Sequence, residues 1–209
     1  MRILLLNTSG GQGVAALADE TGVLAAEMLP GRGMSEELMP ALERLFARTG
    51  WVPGDLEAVG VVVGPGSFTG VRVGLSAVKG LCEGLGIRMV GMSRLALVAG
   101  DSTGERSALL DAGRGEYFCG IYRESVCVRE GLVTEVEARE LMLGRVAVSC
   151  EARVAERLGV GLVPEPGAEA MLKMFRRRAD TGDWTDVAMV DANYLRRTDA
   201  ELKRLATVG

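Results

Sequence analysis

The stretch VVVGPGSFTGVRVGLSAVKGL, Val61–Leu81, constrains the fold more than any other part of the chain. Its apolar opening reads as a buried strand, and Gly64, Gly66 and Gly70 then bend the chain into a helix that begins near Ser67. A strand that passes into a helix through a glycine turn is the unit of a layered α/β protein, in which the helix lies back across the sheet. The helix itself is unusual. Val71, Leu75, Val78, Leu81 and Leu85 form an apolar stripe, Gly70, Gly74, Ala77 and Gly84 a smooth one, and Arg72, Ser76, Lys79 and Glu83 only a narrow polar strip. A helix that merely covers a sheet needs one apolar face, so a second neighbouring helix is expected to use the small residues. A fully covering first helix of the same chain is the competing explanation.

The flanking pattern extends this unit. Ile3–Leu6, Val14–Leu17 and Val23–Met28 are β-rich runs separated by the turn residues Gly10, Gly11, Gly13 and Asp19–Gly22, which predicts an antiparallel meander. Ser35 is placed to cap a helix with Glu36 and Glu37 in its first turn, a stripe of Leu38, Leu42 and Leu45, flanking Met39 and Phe46, and a stop at Gly50; Pro40 falls about one turn in. Strand Val59–Val63, the helix from Ser67 to Leu85, strand Met89–Met92 and a short helix Leu95–Ala99 complete the order βββαβαβα, typical of a mixed sheet with helices. The polar run Asp101–Glu105 then separates a first lobe, 1–104, from a second, 105–209. The second opens like the first: Leu4–Ala18 can be laid beside Ala108–Tyr122, each a strand, an Asn or Asp, a small glycine turn and a second strand. Val126–Val128 and Val146–Ser149 are further strands there, and Ala152–Leu158 and Ala168–Arg178 helices.

Composition restricts the chemistry. Among 209 residues there is no histidine, which excludes Ser-His and Cys-His triads, His-ligated metals and imidazole acid–base catalysis. Cys82, Cys119, Cys127 and Cys150 have no C-x-x-C spacing and read as reduced thiols of a cytoplasmic protein, without zinc. The run Ile3–Leu6 is too short for a signal segment or a membrane span. A formal net charge of -4 argues against gripping nucleic acid unaided.

The turn Gly64–Arg72 invites a phosphate-binding reading, because strand-to-helix turns aim N–H groups at anions. No G-K-[ST] follows, the spacing is G-x-G-x-x-x-G, and Met89–Met92 brings no acid for a ribose, so a structural loop of Gly64, Gly66, Ser67, Thr69, Gly70 and Arg72 is the stronger reading. Ser76 and Lys79 spell S-x-x-K, but mid-helix and without companion motifs. Asp111 and Glu116 flank the second glycine turn, where capping the turn or pairing with Arg114 outweighs acid–base chemistry. Arg176–Arg178, Arg196, Arg197, Lys203 and Arg204 are interspersed with acids and read as a solvated mixed surface rather than a tRNA site.

Taken together, ILLLNTS, GPGSFTGVRVGLSAVKGL, DAGRGEYF (Asp111–Phe118) and YLRRTDAE (Tyr194–Glu201) resemble the TsaB (YeaZ) family of bacterial tRNA threonylcarbamoyladenosine biosynthesis proteins over most of the chain. The resemblance implies a two-lobe actin-like fold of the Hsp70 and RNase H kind. It also implies a non-catalytic subunit that pairs with the homologous TsaD, which carries the metal and transfers the threonylcarbamoyl group to adenosine beside the anticodon of tRNAs reading ANN codons. TsaE, an ATPase, joins that pair, and tRNA is met only through the complex. On this basis the catalytic and metal residues are expected to be none, ATP or ADP is expected only at the interface with TsaD and TsaE, and a homodimer is expected alone. The docking face is expected from Leu38, Met39, Leu42, Phe46, Val71, Leu75 and Val78, joined by two helices of TsaD into a four-helix bundle, with Asn7, Ser9 and Asp111 nearest any shared nucleotide.

Two positions depart from the family pattern. Asn7 stands where I-D-T-S has its Asp, and Met34-Ser35 where His-Ser is common. Asn7 keeps an oxygen acceptor without the charge that would hold a metal, and a chain without histidine cannot supply the H-x-x-x-H ligands of the catalytic homologue. The alternatives are a kinase or ATPase of the same fold and, further off, a peptidase-like hydrolase.

Overall fold

The computed structural model describes residues 1–31, 33–193 and 195; the segment Tyr194–Glu201 and Arg196, Arg197, Lys203 and Arg204 lie outside the described residues, Leu195 excepted. The first half contains β1 (Ile3–Asn7), β2 (Gly13–Ala18), β3 (Val23–Leu29), α1 (Met34–Thr49), β4 (Ala58–Val62), α2 (Phe68–Leu85), β5 (Arg88–Met92) and α3 (Arg94–Ala99), with a 3-10 turn at Pro53–Asp55. The second repeats that order with β6 (Glu105–Gly113), β7 (Glu116–Arg123), β8 (Val126–Thr134), α4 (Glu135–Met142), β9 (Val146–Ser149), α5 (Ala152–Leu158), β10 (Gly161–Leu162) and α6 (Ala168–Asp180). One sheet runs β3-β2-β1-β4-β5 and the other β8-β7-β6-β9-β10. In each, the first three strands are antiparallel and the last two join in parallel, so the two sheets have one topology.

Strand alternation decides which helix covers which face. Leu4, Leu6, Leu17, Val59 and Val61 face Leu38, Leu42 and Leu45 of α1 and Val71, Leu75 and Val78 of α2. The opposite face, with Ile3, Leu5, Val62 and Met92, packs on Met171, Leu172 and Phe175 of α6, from the other half of the chain. Gly60 makes this possible, because a Cβ there would lie 3.0 Å from the Phe175 ring. The second sheet is built the same way. Leu109, Tyr117, Cys119 and Ile121 meet Ala138 of α4 and Val154 and Leu158 of α5. Ala108, Leu110, Phe118 and Tyr122 meet Leu95 and Val98 of α3, from the first half. The halves thus exchange their last helices.

Three local features differ from the sequence expectation. Gly33, in the left-handed conformation at φ 74°, caps α1 in place of Ser35, and its carbonyl accepts from the N–H groups of Glu36 and Glu37. The strand at Val126–Val128 continues to Thr134, because backbone pairing with β7 carries the polar residues Arg129 and Glu130 along. Helix α4, absent from the sequence reading, starts at a capping box in which Thr134 and Glu137 satisfy each other's backbone N–H groups.

Candidate functional site between the lobes

The glycine loop closes on the turn after β1. Gly64 (φ 103°) and Gly66 (φ 158°) have backbone angles that favour glycine, and a Cβ on Gly66 would run into the carbonyl of Ser9. Gly70 and Gly74 press on Thr8, where a Cβ would collide with its carbonyl and hydroxyl oxygens respectively. Two N–H groups that a phosphate would seek are used internally: Ser67 N–H donates to Ser9 O at 2.8 Å, and Gly70 N–H to Ser67 Oγ at 3.2 Å. Thr69 and Arg72 are exposed, and the Arg72 guanidinium lies 3.7 Å over the Phe68 ring. Asn7 is fully buried; its Oδ1 accepts from Ser9 N–H at 3.0 Å and Ser9 Oγ at 2.7 Å. Asn7 Nδ2 and Thr8 Oγ1 are buried without a hydrogen-bond partner.

Beside this turn lies a charged cluster that sequence reasoning missed. Arg94, at the start of α3, is 3% exposed. Its N–H donates to Gly64 O in the glycine loop at 2.7 Å. Its guanidinium forms a fork on Glu165, 2.9 Å from Oε1 and 2.7 Å from Oε2, and reaches Glu151 Oε1 at 3.1 Å. Glu151 in turn accepts from Asp111 N–H at 2.6 Å, and Asp111 Oδ1 from Gly113 N–H at 2.7 Å, so Asp111 shapes its own turn. A Cβ on Gly10 would lie 2.9 Å from Glu165 and 3.3 Å from Arg94. The turn after β1 and the glycine loop therefore meet at Arg94, and the turn after β6 joins them through Glu151. The one clue in the sequence was an arginine inside the apolar run GMSRLALVAG, too small a signal without its distant carboxylates.

The residues expected on the docking face divide. Leu38, Leu42, Val71, Leu75 and Val78 are 0–5% exposed and belong to the core beneath α1 and α2, so they are not available to a partner. The sheet itself uses the apolar stripe. Met39 is 58% exposed and Phe46 half-buried. Outward from them, α2 shows half-buried Val73, Ala77 and Leu81 and exposed Gly80 and Gly84, both glycines facing open space.

Several other nucleophiles and cations are engaged or suppressed. Burial pushes the Cys82 and Cys119 thiols up to about 11 and Cys150 to about 12, which removes thiolate character. Lys79 donates to the carbonyl of Val190 at 2.9 Å. Arg176 donates to Asp19 O, Arg177 pairs with Asp101, and Arg178 pairs with Asp183. A cavity of about 390 Å³ between Ser93, Tyr122, Glu130, Met174 and Arg177 has its central carboxylate, Glu130, already receiving the Ser93 and Tyr122 hydroxyls and Asn193 Nδ2.

These donors do not fit a metal-bound nucleotide. Asn7 brings no charge and its oxygen is occupied, and no three Asp, Glu, Cys or His residues gather as a ligand set among the described residues. No helix among the described residues is long and apolar enough to cross a membrane.

Two five-stranded mixed sheets of one topology, with exchanged helices, define the actin-like two-lobe class. A family model described as "TsaD: tRNA N6-adenosine threonylcarbamoyltransferase" matches residues 28–136, just over half of the chain. A tRNA threonylcarbamoyladenosine biosynthesis protein TsaB from Bacillus subtilis is 32% identical over 65% of this chain and 59% of its own length. The structure of YeaZ from Pseudomonas aeruginosa superposes with a TM-score of 0.76 at 22% identity, over 92% of this chain and 99% of that one. An activator of 2-hydroxyisocaproyl-CoA dehydratase from Clostridium difficile, with bound ADPNP, shares the fold at a TM-score of 0.51 and 10% identity, over 87% of this chain and 97% of that one. The chain belongs to the family that this model describes, and within it is similar to TsaB and YeaZ proteins. The sequence match spans somewhat over half the length of the Bacillus relative.

Proposed function

We propose that the chain is a non-catalytic subunit of the bacterial system that makes tRNA threonylcarbamoyladenosine, pairing with TsaD, which transfers the threonylcarbamoyl group. The observation that carries this reading is the similarity to TsaB proteins of a chain without a single histidine. Support comes from the crevice at Arg94, whose guanidinium is already satisfied by two carboxylates of the chain, and from buried cysteines and a lysine poorly suited to nucleophilic attack. TsaE and tRNA are met through the complex, nucleotide only at the shared interface, and the setting is the cytoplasm.

Docking draws on the outer side of α1 and α2: Met39, Phe46, Val73, Ala77, Gly80, Leu81 and Gly84. Small residues there let two helices of TsaD approach closely, giving a four-helix bundle stabilised by apolar burial. In the absence of TsaD a second copy of the chain takes the same face. The test is co-expression with TsaD, light scattering of the purified species, and measurement of the modified nucleoside in cells depleted of their own TsaB. A stable heterodimer and restored modification are expected. Turnover of ATP or peptide by the purified chain, abolished by Ser76→Ala or Asp111→Asn, would overturn the reading in favour of an enzyme.

A further inference from the structure

The chain after α6 leaves the sheet face that α6 covers and wraps the edge of the first sheet. Thr185 pairs with Met89 on the outer side of β5: its N–H donates to Met89 O at 2.9 Å, and its Oγ1 accepts from Gly91 N–H at 2.8 Å. Val187, Val190 and Ala192 then join the apolar core beneath α1 and α2, and Lys79 of α2 donates to Val190 O at 2.9 Å. Asn193 follows at the carboxyl end of β4, where its N–H donates to Val63 O at 2.7 Å. Its Nδ2 donates to Glu130 Oε2 of β8, in the second sheet, at 2.8 Å. Leu195 packs against the second sheet's core on the side that α3 covers. We propose that Thr185–Asn193 is a strap that latches the second sheet to the first through Asn193, and that release of this latch lets the two lobes part.

The two ends of the strap are unequally held. Four hydrogen bonds and three apolar side chains fix it to the first sheet and its helices. It reaches the second sheet through one side-chain hydrogen bond, with Leu195 just beyond. Separation of the lobes therefore leaves the strap on the first and opens the contact at Glu130.

The chemistry of that contact suits a latch. Glu130 Oε1 accepts from the hydroxyls of Ser93 and Tyr122, which leaves Oε2 for the strap. A hydrogen bond onto a carboxylate is about twice as strong as one between neutral groups, so a single contact can hold the junction. The amide of Asn193 is also the side chain the place requires. An aspartate of the same shape would set two carboxylates against each other, and an alanine would leave a half-buried Oε2 without its donor.

The latch is tested on the full chain carrying Cys127→Ser, with spin labels at Glu43→Cys in α1 and Glu140→Cys in α4. Pulsed electron paramagnetic resonance reads the distance between the lobes, and NMR reads amide exchange. The parent is expected to give one narrow distribution. Asn193→Asp, and the milder Asn193→Ala, are expected to broaden it and to raise exchange at the Asn193 and Leu195 N–H groups by ~10-fold or more, with β1 and β4 as protected as in the parent. Glu130→Gln added to Asn193→Asp exchanges donor and acceptor. It keeps an oxygen for Ser93 and Tyr122, offers an N–H to the new carboxylate and is expected to restore the narrow distribution. A double variant as broad as Asn193→Asp alone overturns the proposal. So does a folded Asn193→Asp or Asn193→Ala that keeps the parent's narrow distribution and slow exchange.

Discussion

The turns after β1 and β6 occupy the same place in their sheets and are closed in the same way, yet they carry different residues. Asn7 Oδ1 accepts from the N–H two residues on, Ser9, and Asp111 Oδ1 from the N–H two residues on, Gly113. Asn7 is fully buried under the glycine loop, whereas Asp111 is exposed. A carboxylate at the first position would be a fully buried charge, and the neutral amide closes the same turn without that desolvation cost. One topology has been repeated, and burial has decided which chemistry each copy can carry.

The lobes differ in the same sense as a whole. Strands β1, β2 and β4 are buried along their entire length, but β8 is largely exposed and β10 has two exposed residues. Both lobes carry surface ion pairs; in the second, Glu105 pairs with Arg123 and Arg145, and Glu135 with Arg139 and Arg157, beside these more exposed strands.

The exchange of helices can be broken most severely at Phe175. It is fully buried on the first sheet, with Trp184 edge-on at 6.1 Å. Phe175→Ala is expected to cost about 3–5 kcal/mol in urea denaturation. Hydrogen exchange should rise in β1 and β4 as much as in α6. If protection were lost only in the second half, the lobes would be independent units and the exchanged helices mere decoration.

A second, smaller effect separates the two sides of α2. Gly74→Ala drives a methyl into Thr8 and is expected to destabilise by about 1–3 kcal/mol. A thermal melt unchanged from the parent would show that the turn after β1 yields easily and that the loop is not fixed by this contact.

Acid sharpens the contrast between the lobes more gently. Hydrogen bonds from Arg123 hold Glu105 below the usual carboxylate range, and those from Arg139 and then Arg157 do the same for Glu135. A depressed carboxylate contributes stability above its unfolded pKa and loses it as pH falls through the folded one, so this contribution fades below pH ~4. These pairs are exposed and screened, so the loss is modest, and salt should weaken it further. Exchange monitored from pH 5 downward should therefore loosen β6 and α4 before β1; loss beginning in the first sheet would contradict this division of labour.

What the sequence made legible follows burial. Leu4, Leu6, Val59 and Val61 alternate or run unbroken because both faces of their sheet are covered, and such strands announce themselves. The continuation of β8 beyond Val128 did not, since Arg129–Gly131 gain their place from pairing with β7 rather than from hydrophobic pattern. The glycines of the central turn were visible as a motif, but their purpose, close approach to Thr8 and Ser9, depends on residues nearly sixty positions earlier. The Arg94 cluster was hidden for the same reason: Arg94, Glu151 and Glu165 have no common spacing, and only the exchanged α3 brings them together. The apolar stripe of α2 was read correctly as a stripe and assigned to the wrong neighbour, because the sequence does not say which face the sheet will take.

The smallest expected effect on folding bears most directly on that last point. Gly80 lies on the outer side of α2 with nothing near its missing Cβ, and α2 is helical from Phe68 to Leu85. Alanine there removes the entropy cost of a mid-helix glycine, so Gly80→Ala should stabilise the isolated chain by about 0.5–1 kcal/mol. This is opposite in sign to Gly74→Ala one and a half turns earlier, and the pair distinguishes the covered side of the helix from the open one. If helices of TsaD pack against the open side, the methyl that stabilises the free chain holds the partner away, and heterodimer yield should fall while the melting temperature rises. A Gly80→Ala protein that is more stable and binds TsaD as the parent does would leave α2 without a docking role, and the exposed Met39 and Phe68 would then mark where to look instead.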